Sequence, residues 1–289
     1  MPPKLKKTYE DRSGLFSEHH RSAFAFGGAD AIHEMRVCLK RLRTFFNLVE
    51  AVAPSFHADE IFRPARRFFR AAGKLRHVQV LQFLTLRLVR EFELDLSEYY
   101  NMLKAEEPRE RKRFARACGR FDSRFFESAG ATIADRLESL PEDRVRQAAE
   151  MRLGSLLNDV KAGIRISRDP DRLHWVRIRT KEARYTLEIM VEAGLTEDKA
   201  ENLDGLLKSV HQPLGRWRDG LLALESLREF GAHRASGALF CSKSYPEAIR
   251  ILKLDIRKNL GEFKENRQAL AGFLSSMSPG PAPDGASRS

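Results

Sequence analysis

Apolar residues recur three and four positions apart along most of the chain, the spacing of an amphipathic helix. This pattern predicts helices over 31–52, 61–73, 109–126, 142–166, 173–193, 199–211 and 246–263. Residues that interrupt helices fall between these runs: Gly27-Gly28, Pro54, Gly130, Pro141, Pro170, Gly194, Gly231, Gly237 and Pro246. Few runs alternate with period two, so no sheet is expected. The fold class expected is all-α, with about eight to ten helices. Residues 271–289, rich in Ser, Pro, Gly and Ala, read as a disordered tail, and 1–14 as a basic N-terminal extension.

The chain also repeats itself. His33, Arg36, Lys40 and Arg43 reappear as His174, Arg177, Lys181 and Arg184, each 141 residues later. Ile32, Met35 and Val37 have Leu173, Val176 and Ile178 as partners, and Asp30 and Asp171 precede the histidines as candidate N-caps. Gly73-Lys74-Leu75-Arg76 matches Gly215-Arg216-Trp217-Arg218 at offset 142, and Arg109, Lys112 and Arg116 match Arg250, Lys253 and Arg257 at 141. Three matches at nearly one offset divide the chain into a first helical repeat, 15–140, and a second, 141–270. Each repeat has room for about four long helices, a natural bundle.

On a helix, His33, Arg36, Lys40 and Arg43 fall within a sector of roughly 80°, beside the apolar sector of Met35, Leu39, Leu42 and Phe46. Like charges at this spacing repel, costing a few tenths of a kcal/mol per pair. An anionic partner removes that cost, with Arg as a bidentate fork and Lys as a point charge for phosphate oxygens. Arg109, Arg113, Arg116 and Arg120 form another such row, and Arg63, Arg66, Arg67, Arg70 and Lys74 another. A row of cations is equally the look of a solvated helix face, and Glu106, Glu107 and Glu110 stand ready as ion-pair partners. Arg218 beside Asp219 reads as an internal ion pair, and Trp175 and Trp217 as either core or groove wall.

Composition narrows the partner class. Lys plus Arg number 51 against 40 Asp plus Glu, a formal net charge of +11, which favours an anionic partner. Hydrophobic residues make up 42%, enough for a core. No stretch approaches the ~18–20 apolar residues of a membrane span, and no secretory h-region opens the chain. Cys38, Cys118 and Cys241 are isolated, which argues against a disulfide framework and for a reducing, cytoplasmic setting. No phosphate loop, HExxH, Cys/His cluster or nucleophile–base arrangement is legible. No catalytic residue, metal or cofactor is therefore expected, and no membrane partner.

The two copies, I-H-E-M-R-V-C-L-K-R-L-R and L-H-W-V-R-I-R-T-K-E-A-R, resemble the signature of the CHAD domain, the conserved-histidine α-helical domain, over about residues 15–270. The resemblance implies two antiparallel four-helix bundles related by a pseudo-two-fold axis, with a central basic groove or channel. It further implies a stand-alone, non-enzymatic binder of inorganic polyphosphate, with polyphosphate granules as a place of residence. The ligand contacts it implies are His33, Arg36, Lys40, Arg43, His174, Arg177, Lys181 and Arg184. Basic positions of the later helices follow: Arg70, Lys74, Arg76, Arg109, Lys112, Arg113, Arg116, Arg218, Arg250, Lys253 and Arg257. Arg218-Asp219 keeps the family's Arg-Asp pair where the first copy has Arg76-His77, and Glu182 stands where the first copy has Arg41. Other polyanions stay open as partners. The alternative reading is a protein that binds the phosphate backbone of RNA or DNA, against which the stripes lack interleaved aromatic residues.

Overall fold

The computed structural model describes residues 2–276 other than 123, 139, 166–168, 197–199 and 235–242. Ten helices form among them: α1 Pro3–Phe26, α2 Ala29–Val52, α3 Ala58–Phe62, α4 Ala65–Phe92, α5 Ser97–Cys118, α6 Phe125–Leu137, α7 Glu142–Arg165, α8 Pro170–Glu192, α9 Ala200–Arg234 and α10 Ser244–Ser276. No strand occurs among the described residues. The protein is all-α.

Local chemistry sets the ends of the central helices. Gly27 stops α1 at φ +57°, and its carbonyl accepts a 2.6 Å hydrogen bond from Arg111. A side chain there would be strained and would run into the guanidinium. Pro170 opens α8, and the Asp169 carboxylate caps it by accepting from the Asp171 N–H. Asp171 and Asp30 are therefore not the caps expected of them. Both sit in the first turn, Asp30 after Gly28, where a carboxylate favours the helix dipole.

Several expected boundaries move. The 109–126 helix is divided, because α5 ends at Cys118 and α6 starts at Phe125. The helices expected over 61–73 and 199–211 run on to Phe92 and Arg234, through Gly73, Pro213 and Gly215. Gly130 and Gly231 lie inside helices, Pro246 lies in the first turn of α10, and Gly237 and Cys241 lie outside the described residues. Residues 3–14 are helix rather than extension, since Leu5 and Tyr9 are buried in the core. α10 continues to Ser276 with Leu274 buried, so the expected tail begins no earlier than 277, outside the described residues.

Helices adjacent in the chain pack against one another: α1 on α2, α4 on α5, α7 on α8, α8 on α9, α9 on α10. α2 also packs on α4, α7 and α8, and so ties the two halves together. α1 and α7 begin 139 residues apart, and α2 and α8 begin 141 apart. The apolar cores cut across the sequence halves. One gathers α1, α2, α7 and α8 with parts of their neighbours, including Phe16, Phe45, Phe46, Phe68 and Phe126. The other joins the far ends of α4 and α5 to those of α9 and α10 through Leu88, Leu103, Leu227 and Ile251. Burying both sets of contacts fixes α2 beside α8 and α4 beside α9, where the repeated motifs lie.

Candidate anion-binding site

The motif side chains of α2 and α8 leave the apolar core and meet where the two helices run side by side. Arg36 reaches from α2 to α4. Its Nη1 donates to the Phe69 carbonyl at 3.0 Å, and its guanidinium lies 4.6 Å above the Phe69 ring. Gly73 leaves room for it, since a Cβ there would stand 3.0 Å from Nη1. The second copy repeats the arrangement more loosely. A Cβ on Gly215 would be 3.6 Å from Arg177 Nε, and that nitrogen is buried without a hydrogen-bond partner among the described residues.

Between these arginines lie Lys40 and Lys181. Burial, then the charges of Lys181, Arg36 and Arg177, pushes Lys40 down to about 7. Burial, then Arg177, Arg184, Arg41 and Arg36, pushes Lys181 down to about 8. Arg36 falls to about 10 through burial and Arg76. His33 is lowered by burial and then by Arg76, and His174 by burial and then by Arg218. None of Arg36, Lys40, Arg177 and Lys181 is in an ion pair among the described residues, whereas most other half-buried arginines are. One carboxylate reaches into the cluster. Asp219 feels Arg177, Arg76, His77 and Lys40, yet burial outweighs them and raises its pKa. Asp219 and Arg218 make no ion pair among the described residues, contrary to the expectation, and Arg218 bears instead on His174.

A concentration of half-buried, unneutralised cations is unfavourable by itself, because each is partly desolvated and all repel. A polyanion inserted among them cancels the repulsion and offsets the desolvation with charge-assisted hydrogen bonds.

The remaining expected residues fall into separate groups. Arg70, Lys74 and Arg113 line a hollow of 630 Å³ with Arg36 and His77, so this part of the later basic surface joins the cluster. Arg113 is paired with Glu110. Arg43 turns outward to Asp59 at 3.5 Å, and Arg184 is held by Glu188 at 2.9 Å and Asp204 at 2.8 Å. Arg109, Lys112 and Arg116 are exposed on α5, with Arg109 beside Glu98 and Glu106 in another hollow. On α10, Arg250 is paired with Glu247 at 2.6 Å, and Lys253 and Arg257 are exposed.

One neighbour of the cluster escaped the sequence reading, and two others find their place. His211 is pushed down to about 4 by burial, then by Lys181 and Arg184. Its one legible signal is register, for it stands 142 residues after Phe69. Asp219 likewise stands 142 after His77. Trp175 lines a groove of 580 Å³ between α2 and α8, while Trp217 is core, 3% exposed. No group of three or more His, Cys, Asp or Glu side chains placed to hold a metal occurs among the described residues, and no described helix is long and apolar enough to cross a membrane.

A family model described as CHAD domain matches residues 16–228. Among solved structures, the crystal structure of the CHAD domain from the plant Ricinus communis is similar at a TM-score of 0.68 and 21% identity, over 96% of this chain and 92% of that one. PptA from Streptomyces chartreusis is similar at a TM-score of 0.63 and 14% identity, over 93% of this chain and 99% of that one. These two likenesses bear on the fold. No curated protein matches the sequence.

Proposed function

The chain belongs to the CHAD domain family, and from that premise we propose that it binds inorganic polyphosphate, without catalysing a reaction on it, through the cluster between α2 and α8. The observation that carries this reading is the meeting of Arg36, Lys40, Arg177 and Lys181, half-buried and without ion pairs among the described residues. A flexible chain of repeating phosphates supplies charge at short intervals along both helices. The arginines form forks on its oxygens, and the lysines regain the protons that burial disfavours. His33, His174, Arg76 and Arg218 extend the same surface at its ends. Arg70, Lys74 and Arg113 offer the chain a way out along α4 and α5. The outer arginines of α5 and α10 serve as long-range attraction that salt screens. In the cell this reading places the protein in the cytoplasm, on polyphosphate granules, which co-localisation of a fluorescent fusion checks.

The test is titration with long-chain polyphosphate at several salt concentrations, for the natural protein and for the fourfold variant R36A/K40A/R177A/K181A. The expected result is tight, salt-sensitive binding by the natural protein. The variant should keep its helical circular dichroism, and the slope of log affinity against log salt should flatten by about 3, at about 0.7 for each phosphate the four cations no longer neutralise on a single-stranded polyanion. Equal binding by the variant overturns the placement of the site. Displacement of polyphosphate by RNA at a lower phosphate concentration than the reverse overturns the choice of ligand in favour of nucleic acid. Phosphate release above background, with or without Mg²⁺, overturns the non-catalytic assignment.

A further inference from the structure

The groove between α2 and α8 contains more than a linear polyphosphate needs. Its inner side is the cluster itself, Lys40, Arg177 and Lys181. Its outer side is close to neutral. Arg43 is matched by Asp59 at 3.5 Å, and Glu182 lies between Arg152 and Arg179, the latter at 3.0 Å. Apolar and aromatic surface lines this outer part. Phe69 and Trp175 are half-buried, and Ile178 is 47% exposed at the rim. Arg179, which lines the groove, lies 5.7 Å over the Trp175 ring and adds a guanidinium plane to the aromatic ones, while Arg172, outside the lining, packs on the same ring at 4.5 Å.

The sequence repeat does not account for this. At offset 141, the positions of Trp175, Arg179 and Glu182 correspond to Glu34, Cys38 and Arg41. The aromatic pocket is thus built on one side only, beside a cluster whose two halves match. A homopolymer of phosphate has no group to fill a neutral, aromatic recess. A phosphate chain ending in a planar heterocycle has one, because bases stack on aromatic rings and on Arg planes. The volume of 580 Å³ also falls in the usual range of about 300–1,000 Å³ for small-molecule sites.

We propose that this groove receives the nucleoside end of a nucleoside 5′-polyphosphate, with its base against Trp175 and Phe69 and its phosphates among Lys40, Arg177 and Lys181. The inference rests on the cluster being a phosphate site, as argued above, and adds a recognition element for the organic end. Charge alone gives the opposite preference. Inorganic tripolyphosphate carries a free terminal oxygen where adenosine triphosphate carries a neutral ester, so a purely electrostatic site binds the inorganic anion at least as well.

The experiment compares adenosine triphosphate, tripolyphosphate and long-chain polyphosphate on the full chain without divalent metal, reading affinity and Trp fluorescence. The expected result is adenosine triphosphate binding about tenfold tighter than tripolyphosphate, with quenching from stacking on Trp175. W175L removes that advantage and leaves tripolyphosphate and long-chain affinity unchanged. I178S, at the exposed rim, reduces the advantage without touching the core, so the result does not depend on how well W175L folds. Equal or tighter binding of tripolyphosphate by the natural protein overturns the nucleoside pocket while the phosphate site stands. Failure of all three anions to bind overturns the phosphate site as well.

Discussion

The α2 half of the cluster and the α8 half carry the same four polar residues in the same frame, yet their surroundings differ. On α2, Arg36 is held by a hydrogen bond to the Phe69 carbonyl and lies over the Phe69 ring, in space that Gly73 leaves open. On α8, Arg177 keeps a buried Nε without a partner among the described residues, and His211 stands at the register of Phe69. The first half also has His77 where the second has the half-buried Asp219. The same motif thus yields one rigid, preorganised half and one half whose charges wait for a partner. A preorganised fork loses less entropy on binding, while an unsatisfied one gains more when an anion arrives.

The largest effect expected is that of reversing a central charge. Lys40→Glu or Lys181→Glu places a carboxylate between two arginines, and each should lower polyphosphate affinity about 100-fold, two steps of 1.4 kcal/mol. Similar losses in the two variants would mean that one anion spans both halves. A loss confined to one variant would break the comparison into a working half and an idle one, and direct titration decides it.

A smaller effect separates the halves by packing. In Gly73→Ala the new methyl must displace Arg36, whereas in Gly215→Ala it makes an ordinary contact with Arg177. The first should weaken binding about tenfold and the second less than twofold, since a well-placed fork on a charged group is worth about 1.5 kcal/mol. Equal losses would contradict the picture of one tight and one loose arginine.

Stability gives a third handle. Lys40 has a folded pKa of about 7 against the usual 10.5. The unfolded chain therefore binds more protons between those values, and stability rises with pH across that window; below 7 the penalty is fully present. Lys40→Met should raise the melting temperature near pH 6.5 by roughly 2–4 °C and flatten the rise toward pH 9. An unchanged melting curve would mean that Lys40 is solvated rather than strained. The smallest effect belongs to Arg43→Ala, which breaks an exposed pair with Asp59. It should change binding by less than twofold, although Arg43 shares the motif.

The repeat made much of this legible. His33, Arg36 and Lys40, matched to His174, Arg177 and Lys181, lead to α2 and α8 and to the cluster between them. Helical periodicity likewise locates the central helices within a few residues. What escaped was set by tertiary packing. The helix expected to end at Gly73 instead runs through it, and an arginine from another helix takes the room that a side chain there would need. Leu5 and Tyr9 lie in a stretch whose lysines suggest a free extension, and only the packing of α1 shows them as core. Arg43 and Arg184 share the stripe with Lys40 and Lys181, but Asp59, Glu188 and Asp204, which neutralise them, come from other turns and helices. The Arg184–Glu188 pair follows the i, i+4 spacing within α8, but no spacing rule within one helix carries the pairs with Asp59 and Asp204.

The measurement that tests the central claim most directly is proton uptake on binding. Calorimetric titration of the natural protein with long-chain polyphosphate, in which terminal phosphates are few, is run at pH 8 in buffers of different ionisation enthalpy. A polyanion lying on Lys40 and Lys181 restores their charge. The account predicts net uptake of about one proton and an affinity that falls as pH rises from 7 to 9. Lys40→Met should take up fewer protons. Binding with no proton uptake, as expected of a polyanion held by exposed arginines alone, would contradict it.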